Sequence, residues 1–179
     1  MNLKFLGLKF MTVDVIFKDD RWEKLFFEQI AQRVFILIEE DLWEKKEHFE
    51  ISILASNDND ICKLNKRFRG FNLSTNILAW PQHEYNISRP GDFPERVSNR
   101  IDYLDDPYCL GNLAISFDTC LKESQNASIN FEDHIAHLLI HGGLHLLGFD
   151  HVHELDALLM EDIEIRLLSR LGIENPYEI

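Results

Sequence analysis

Between Thr12 and Lys18, apolar Val13, Val15 and Phe17 alternate with other residues, the period-two pattern of a half-buried strand. From Trp22 to Trp43 the period lengthens: Leu25, Phe26, Ile30, Val34, Leu37, Ile38 and Leu42 recur at helical spacing and predict one long amphipathic helix. Phe49 to Ala55 is apolar and β-branched, a second strand. Asn57 is a good helix cap, Ile61, Leu64 and Phe68 form the buried stripe of the helix it starts, and Gly70 ends that helix. Asn76 to Trp80 predicts a short strand closed by Pro81. Residues 82–107 carry Pro90, Gly91 and Pro94 among several charges without a period, and predict a long surface loop. Leu110 to Ile115 is a fourth strand, and Ser116 caps a short helix running to about Asn126. Helices from Phe131 to Leu147 and from Val152 to Leu171 follow. The pattern predicts a mixed α and β chain with its helices gathered at the C-terminal end and no internal repeat.

Composition narrows this to one domain. The chain has 179 residues, 45% of them hydrophobic, with 8 Gly and 5 Pro. That excludes collagen-like, low-complexity and disordered classes, and residues 1–179 suit a single domain. The three cysteines, Cys62, Cys109 and Cys120, are odd in number and form no CxxC pair, as expected of reduced thiols. The apolar start is broken by Lys9 and followed by Asp14 without a small-residue cleavage site, and no run approaches the ~18 apolar residues of a membrane span. A cytoplasmic location without membrane contact is expected.

Charge changes the picture more. Eighteen Lys and Arg against 31 Asp and Glu give −13 at pH 7, and from Glu132 onward ten acids face two bases, Arg166 and Arg170. Such a field repels phosphate at long range, which excludes a broad electrostatic grip on DNA or any other nucleic acid. A polyanionic substrate would have to be held locally, by a metal or a small basic patch. Lys63, Lys66, Arg67 and Arg69 form the one dense basic segment, at the end of the second predicted helix.

Candidate chemistry concentrates further along. Six of the eight histidines fall between His134 and His153. His141 and His145 are one helical turn apart, so both rings project from one face. Gly148 permits the positive φ that turns the chain back and brings His151 round to the same point. Three neutral imidazoles around one ion leave a fourth position for water, the arrangement of a catalytic zinc. Three imidazoles also suit Ni, Cu or Fe. The spacing H-x-x-x-H-x-x-G-x-x-H is that of the metzincin peptidases, but the Glu those enzymes place after the first His is Gly142 here. A peptidase therefore lacks its base. His134 and His137 lie on the same stripe and read as surface or supporting residues, and His153 as solvent-facing. Asp150 either orients His145 or His151, or caps the helix that starts near Val152.

The run His141-Gly142-Gly143-Leu144-His145-Leu146-Leu147-Gly148-Phe149-Asp150-His151 resembles the H-G-x-L-H-L-x-G-[YF]-D-H signature of the YbeY family of bacterial endoribonucleases. Leu64 to Gly70, Thr75 to Pro81, Leu110 to Ser116 and Asn175-Pro176-Tyr177 resemble further blocks of that family, in family order, from about Ile51 to Tyr177. The resemblance implies a zincin-like α+β domain with a small mixed four-stranded sheet and about five helices, its metal site on a C-terminal helix and the turn after it. His141, His145 and His151 are then the ligands of one Zn²⁺, or of another divalent ion such as Ni²⁺. Arg69 and His141 are the catalytic residues, and Arg69 with Lys66 binds substrate. Asp150 and Asn112 support the ligands, Asn112 standing where most members have Asp. The implied activity is hydrolysis of single-stranded RNA in ribosomal RNA processing (16S 3′-end maturation), ribosome biogenesis and quality control. The ribosome or a ribosomal protein is the expected partner. The alternatives are a ribosome-associated assembly factor whose metal is structural, and a hydrolase of small molecules or peptides, which Gly142 disfavours.

Overall fold

In the computed structural model, which describes residues 11–42, 49–96 and 108–178, the strand-forming segments assemble into one four-stranded mixed sheet. β1 (Met11–Phe17) pairs in parallel with β2 (Phe49–Ser56), and β2 in parallel with β6 (Tyr108–Ser116). β3 (Ile77–Pro81) runs antiparallel along the outer edge of β6. The alternation in β2 sends Ile51 and Ile53 to one face and Leu54 towards the other. Parallel strands need crossover connections, and helices supply them: α1 (Phe27–Leu42) between β1 and β2, and α2 (Asp58–Arg69) after β2.

Each face is covered differently. α1 and α4 (Phe131–Leu146) bury Ala31, Val34, Phe35, Ile135, Leu139 and Leu144 against Ile51, Ile53, Leu113 and Ile115. α2 covers the other face with a small cluster of Ile61, Leu78 and Ala114, edged by Leu54, Leu64 and Trp80. α3 (Phe117–Ala127) and α5 (Glu154–Leu171) flank α4. At ~1.5–3 kcal/mol for each large side chain fully removed from water, the many buried Leu and Ile of α4 anchor it firmly. Helix α4 carries His141 and His145, so the rigid centre of the fold is also the base of the candidate site. The described residues form a single α+β domain with five α-helices and a mixed four-stranded sheet, as expected.

Four expectations are revised. The helix predicted from Trp22 is split. A 3₁₀ turn over Glu23–Leu25 ends at Phe26, whose left-handed backbone (φ 52°) stops it, and α1 starts only at Phe27. Trp22 explains the break: its indole N–H donates to the Ser56 carbonyl at 2.8 Å, and its ring packs edge-on against Phe27 and Phe117. The segment from Gln82 is not wholly irregular, since β4 (Tyr85–Asn86) and β5 (Glu95–Arg96) form a small antiparallel hairpin. Two-residue strands are too short for any period to announce them. Phe68 is 56% exposed instead of joining Ile61 in the core, and α5 starts at Glu154, two residues later than its apolar pattern suggests. The apolar start of the chain, Trp43 and residues 97–107 of the predicted loop lie outside the described residues. Among the described residues no helix is long and apolar enough to cross a membrane, and all three cysteines are free.

Candidate metal centre and its cleft

Asn130 starts α4 by accepting the N–H groups of Glu132 and Asp133. The helix ends in a Schellman turn: Phe149 N–H donates to Leu144 O and Gly148 N–H to His145 O, with Gly148 at φ +88°. A Cβ on Gly148 would fall 2.4 Å from the Tyr85 ring, so glycine is required both by the backbone and by the hairpin packed on it. This turn brings His151 back over α4. The ring of His151 lies 5.4 Å from that of His141 and 5.1 Å from that of His145, centroid to centroid. One ligand atom from each of the three lies within 4.8 Å of the others.

The outer nitrogens of two rings are already engaged. His145 Nδ1 faces the Phe149 carbonyl at 2.9 Å, and a carbonyl only accepts, so Nδ1 carries the proton. His141 Nδ1 lies 2.8 Å from Glu164 Oε1. Burial alone would raise the pKa of Glu164, but hydrogen bonds from His137, His141 and Tyr177 outweigh it and hold the carboxyl down at about 2. That carboxylate also only accepts, so His141 Nδ1 is the donor. Both Nε2 atoms are then lone-pair acceptors, and they face each other at 3.1 Å. Two such lone pairs repel unless a cation lies between them, and tetrahedral coordination at ~2.0–2.1 Å would set ligand nitrogens about 3.4 Å apart. The three histidines therefore fit a metal ion. Burial first, and neighbouring His141 second, push the pKa of His145 down to about 4, which keeps its ring neutral and able to ligate.

The supporting carboxylate was not legible as such in the sequence. Glu164 is 1% exposed on α5, and it also accepts from His137 Nε2 at 2.9 Å and from the Tyr177 hydroxyl. Burial and then the adjacent Glu164 carboxylate push the Tyr177 phenol up, so it stays a donor. One signal was present: Glu164 sits between Ile163 and Leu167 in the apolar stripe of α5, where a carboxylate needs partners. His134 belongs to a separate pair with Glu123 at 2.9 Å, and Glu123 also accepts from Asn76.

The triad opens into a cleft of about 700 Å³ whose other wall is formed by Phe68, Arg69, Thr75, Asn76 and Trp80. The structure thus brings Arg69 and Asp150 to the same cleft as His141, His145 and His151. Arg69 forms no ion pair with any described residue. Asp150 accepts the backbone N–H of His151 at 2.7 Å, while the N-cap of α5 is His153. Lys66 is exposed on α2 and Asn112 on β6, neither among the residues lining the cleft; the cross-strand neighbour of Asn112, Trp80, does line it. Gly142 is buried in α4. A Cβ there would meet Ile77 Cδ1 at 2.8 Å and Leu113 Cδ2 at 3.0 Å, so a larger side chain at that position would press on these two apolar side chains.

Comparison with known proteins agrees with this geometry. Residues 14–172 match the family model described as Endoribonuclease YbeY. The chain is 40% identical over 169 residues to Endoribonuclease YbeY of Ruegeria sp. strain TM1040, covering 94% of this chain and 98% of that protein. It is 39% identical over 165 residues to the protein of the same name from Paracoccus denitrificans, covering 92% and 89%. The fold is similar to the solution structure of TM1509 from Thermotoga maritima, with a TM-score of 0.51 at 16% identity over 94% of this chain and all of that one.

Proposed function

Since the chain belongs to the Endoribonuclease YbeY family, we propose that it hydrolyses single-stranded RNA at a divalent ion held by His141, His145 and His151. The observation that carries this reading is the cleft itself, which joins three convergent imidazoles to an arginine that has no ion-pair partner among the described residues. When bound, a zinc ion would supply Lewis acidity towards a phosphate oxygen and acidify a coordinated water. The protein's own groups do the rest. Glu164 and the Phe149 carbonyl hold the rings of His141 and His145 with their lone pairs inward. The Arg69 guanidinium clamps two non-bridging oxygens of the scissile phosphate and stabilises the charge that grows there. Lys66 and Arg67 add a weak local attraction against a net charge of −13.

We place this activity in ribosomal RNA maturation in the cytoplasm, at the 3′ end of 16S RNA, on the family resemblance. Few phosphate contacts give weak and salt-tolerant binding, so selection of the cleavage site falls to a ribosomal partner. The test is cleavage of a short end-labelled single-stranded RNA by wild type, Arg69→Ala and His145→Ala, prepared in parallel with folding checked by circular dichroism. Arg69→Ala should lower kcat by ~100- to 1,000-fold, as expected for loss of one charge-stabilising group, and His145→Ala should abolish turnover. If all three preparations cut alike, the activity is a contaminant. The three histidines would then hold a structural metal in a ribosome assembly factor.

A further inference from the structure

Phe68 and Trp80 are left over by the chemistry described so far. Phe68 occupies the apolar stripe of α2 with Ile61 and Leu64, yet it is 56% exposed where Ile61 is fully buried. Such departures from the hydrophobic pattern concentrate at functional sites. Its ring meets that of Trp80 edge to face, 5.4 Å between centroids and 64° between planes, and both line the cleft that holds the histidines. The guanidinium of Arg67 lies 5.3 Å from the Phe68 ring centre, and Arg69 is the next residue along. Aromatic surface and the Arg69 cation thus sit side by side within one cleft.

We propose that the Phe68–Trp80 edge is a stacking platform for one unpaired nucleobase next to the scissile phosphate, an inference that rests on the endoribonuclease reading and deepens it. A nucleotide is an anion joined to a flat aromatic ring, and this edge of the cleft offers a partner to each. The volume of about 700 Å³ is far more than a phosphate needs and lies in the range of sites that hold a whole small molecule. The charge balance points the same way. A protein of net charge −13 gains little from counterion release, whereas stacking on an aromatic face is independent of net charge and indifferent to base identity. A base paired inside a duplex has both faces covered by its neighbours, so the platform would also reject double-stranded RNA.

The test uses the full-length zinc-loaded protein and a short single-stranded RNA in which one abasic nucleotide is moved through the positions flanking the cleavage site. Cleavage kinetics and fluorescence anisotropy of the same RNAs are compared for wild type, Phe68→Ala, Phe68→Leu and Phe68→Tyr. Loss of one stacked base should raise KM by roughly 5- to 140-fold, which is ~1–3 kcal/mol at ~1.4 kcal/mol per tenfold change. Alanine and leucine should both show the loss and tyrosine should restore binding, because the contact needs a ring. One abasic position should cost wild type the same factor and cost Phe68→Ala nothing more, since the two changes remove the same interaction. Equal binding by wild type and Phe68→Ala, or an abasic penalty undiminished in Phe68→Ala, overturns the platform. A wild type that binds with this Phe68 dependence yet never cuts would overturn the nuclease reading and leave the platform standing. Phe68 is exposed, so these variants keep the fold, and circular dichroism checks it.

Discussion

The two walls of the cleft are built to opposite rules. On the α4 side, His141 and His145 each have the outer nitrogen bonded to a fixed acceptor, and one of those acceptors, Glu164, is almost wholly buried. On the α2 side, Phe68, Arg69 and Gly70 close a helix whose last turn is exposed, and Arg69 has no ion-pair partner among the described residues. An ion is bound tightly only by ligands already aimed at it, since ordering each flexible side chain on binding costs ~0.5–1.5 kcal/mol. A polymer of varied sequence needs the reverse, a surface that many nucleotides can use. The order within the triad follows the same gradient: His141 and His145 are half-buried, while His151 is exposed on the turn.

The largest expected effect strikes the fixed wall. Glu164→Gln keeps the size of the side chain but turns one acceptor oxygen into an N–H that must face a donor, either His141 or the His137–Tyr177 pair. Zinc affinity should fall by ~10- to 100-fold, read by competition against a chromophoric chelator. Unchanged affinity in a folded variant would mean that the outer bond does not aim the ring, and the contrast between the walls would collapse.

How much of this contrast the sequence disclosed depends on the length scale of each signal. The triad was legible because its ligands lie within eleven residues and one turn motif brings them together, so local geometry sufficed. Glu164 lies 23 residues beyond His141 on another helix, among many acids, and only its place in an apolar stripe hinted at a buried role. Phe68 misled for the opposite reason. Periodicity reports which face of a helix is apolar, but not where the sheet beneath that face ends. The break at Phe26 was hidden because Trp22 fits a helical stripe equally well, while its indole is bound to the distant Ser56 carbonyl.

Tyr177→Phe sharpens the comparison with a smaller effect. It removes one of the donors that hold Glu164 and leaves His137 and His141 in place. Zinc affinity should fall by less than ~10-fold, below the loss for Glu164→Gln, because the residue acts on the ion only through another side chain. A loss as large as that of Glu164→Gln would place Tyr177 nearer the centre of the network than its position past the end of α5 suggests.

The smallest effect at the cleft is expected from the root of the open wall. Asp58 Oδ1 accepts from the hydroxyls of Ser74 at 2.8 Å, Ser116 at 2.5 Å and Thr119 at 2.5 Å, tying the start of α2 to β6, α3 and the segment that leads to Thr75. Burial works against its charge, but these donors win and hold the carboxyl below its ordinary 3.8. With the native pKa below the unfolded one, acid protonates the unfolded chain first. The stability Asp58 contributes is present above about pH 3.8 and is lost as pH falls below it. Asp58→Asn keeps an acceptor but not the charge, so it should destabilise the fold by about 1–2 kcal/mol in urea at pH 7 and remove this acid-dependent part of the unfolding curve. Zinc affinity should stay at the wild-type value, because α4 and its turn are anchored without α2. If zinc binding weakens together with stability, the two walls are mechanically coupled through the sheet, and the open wall is held by the closed one.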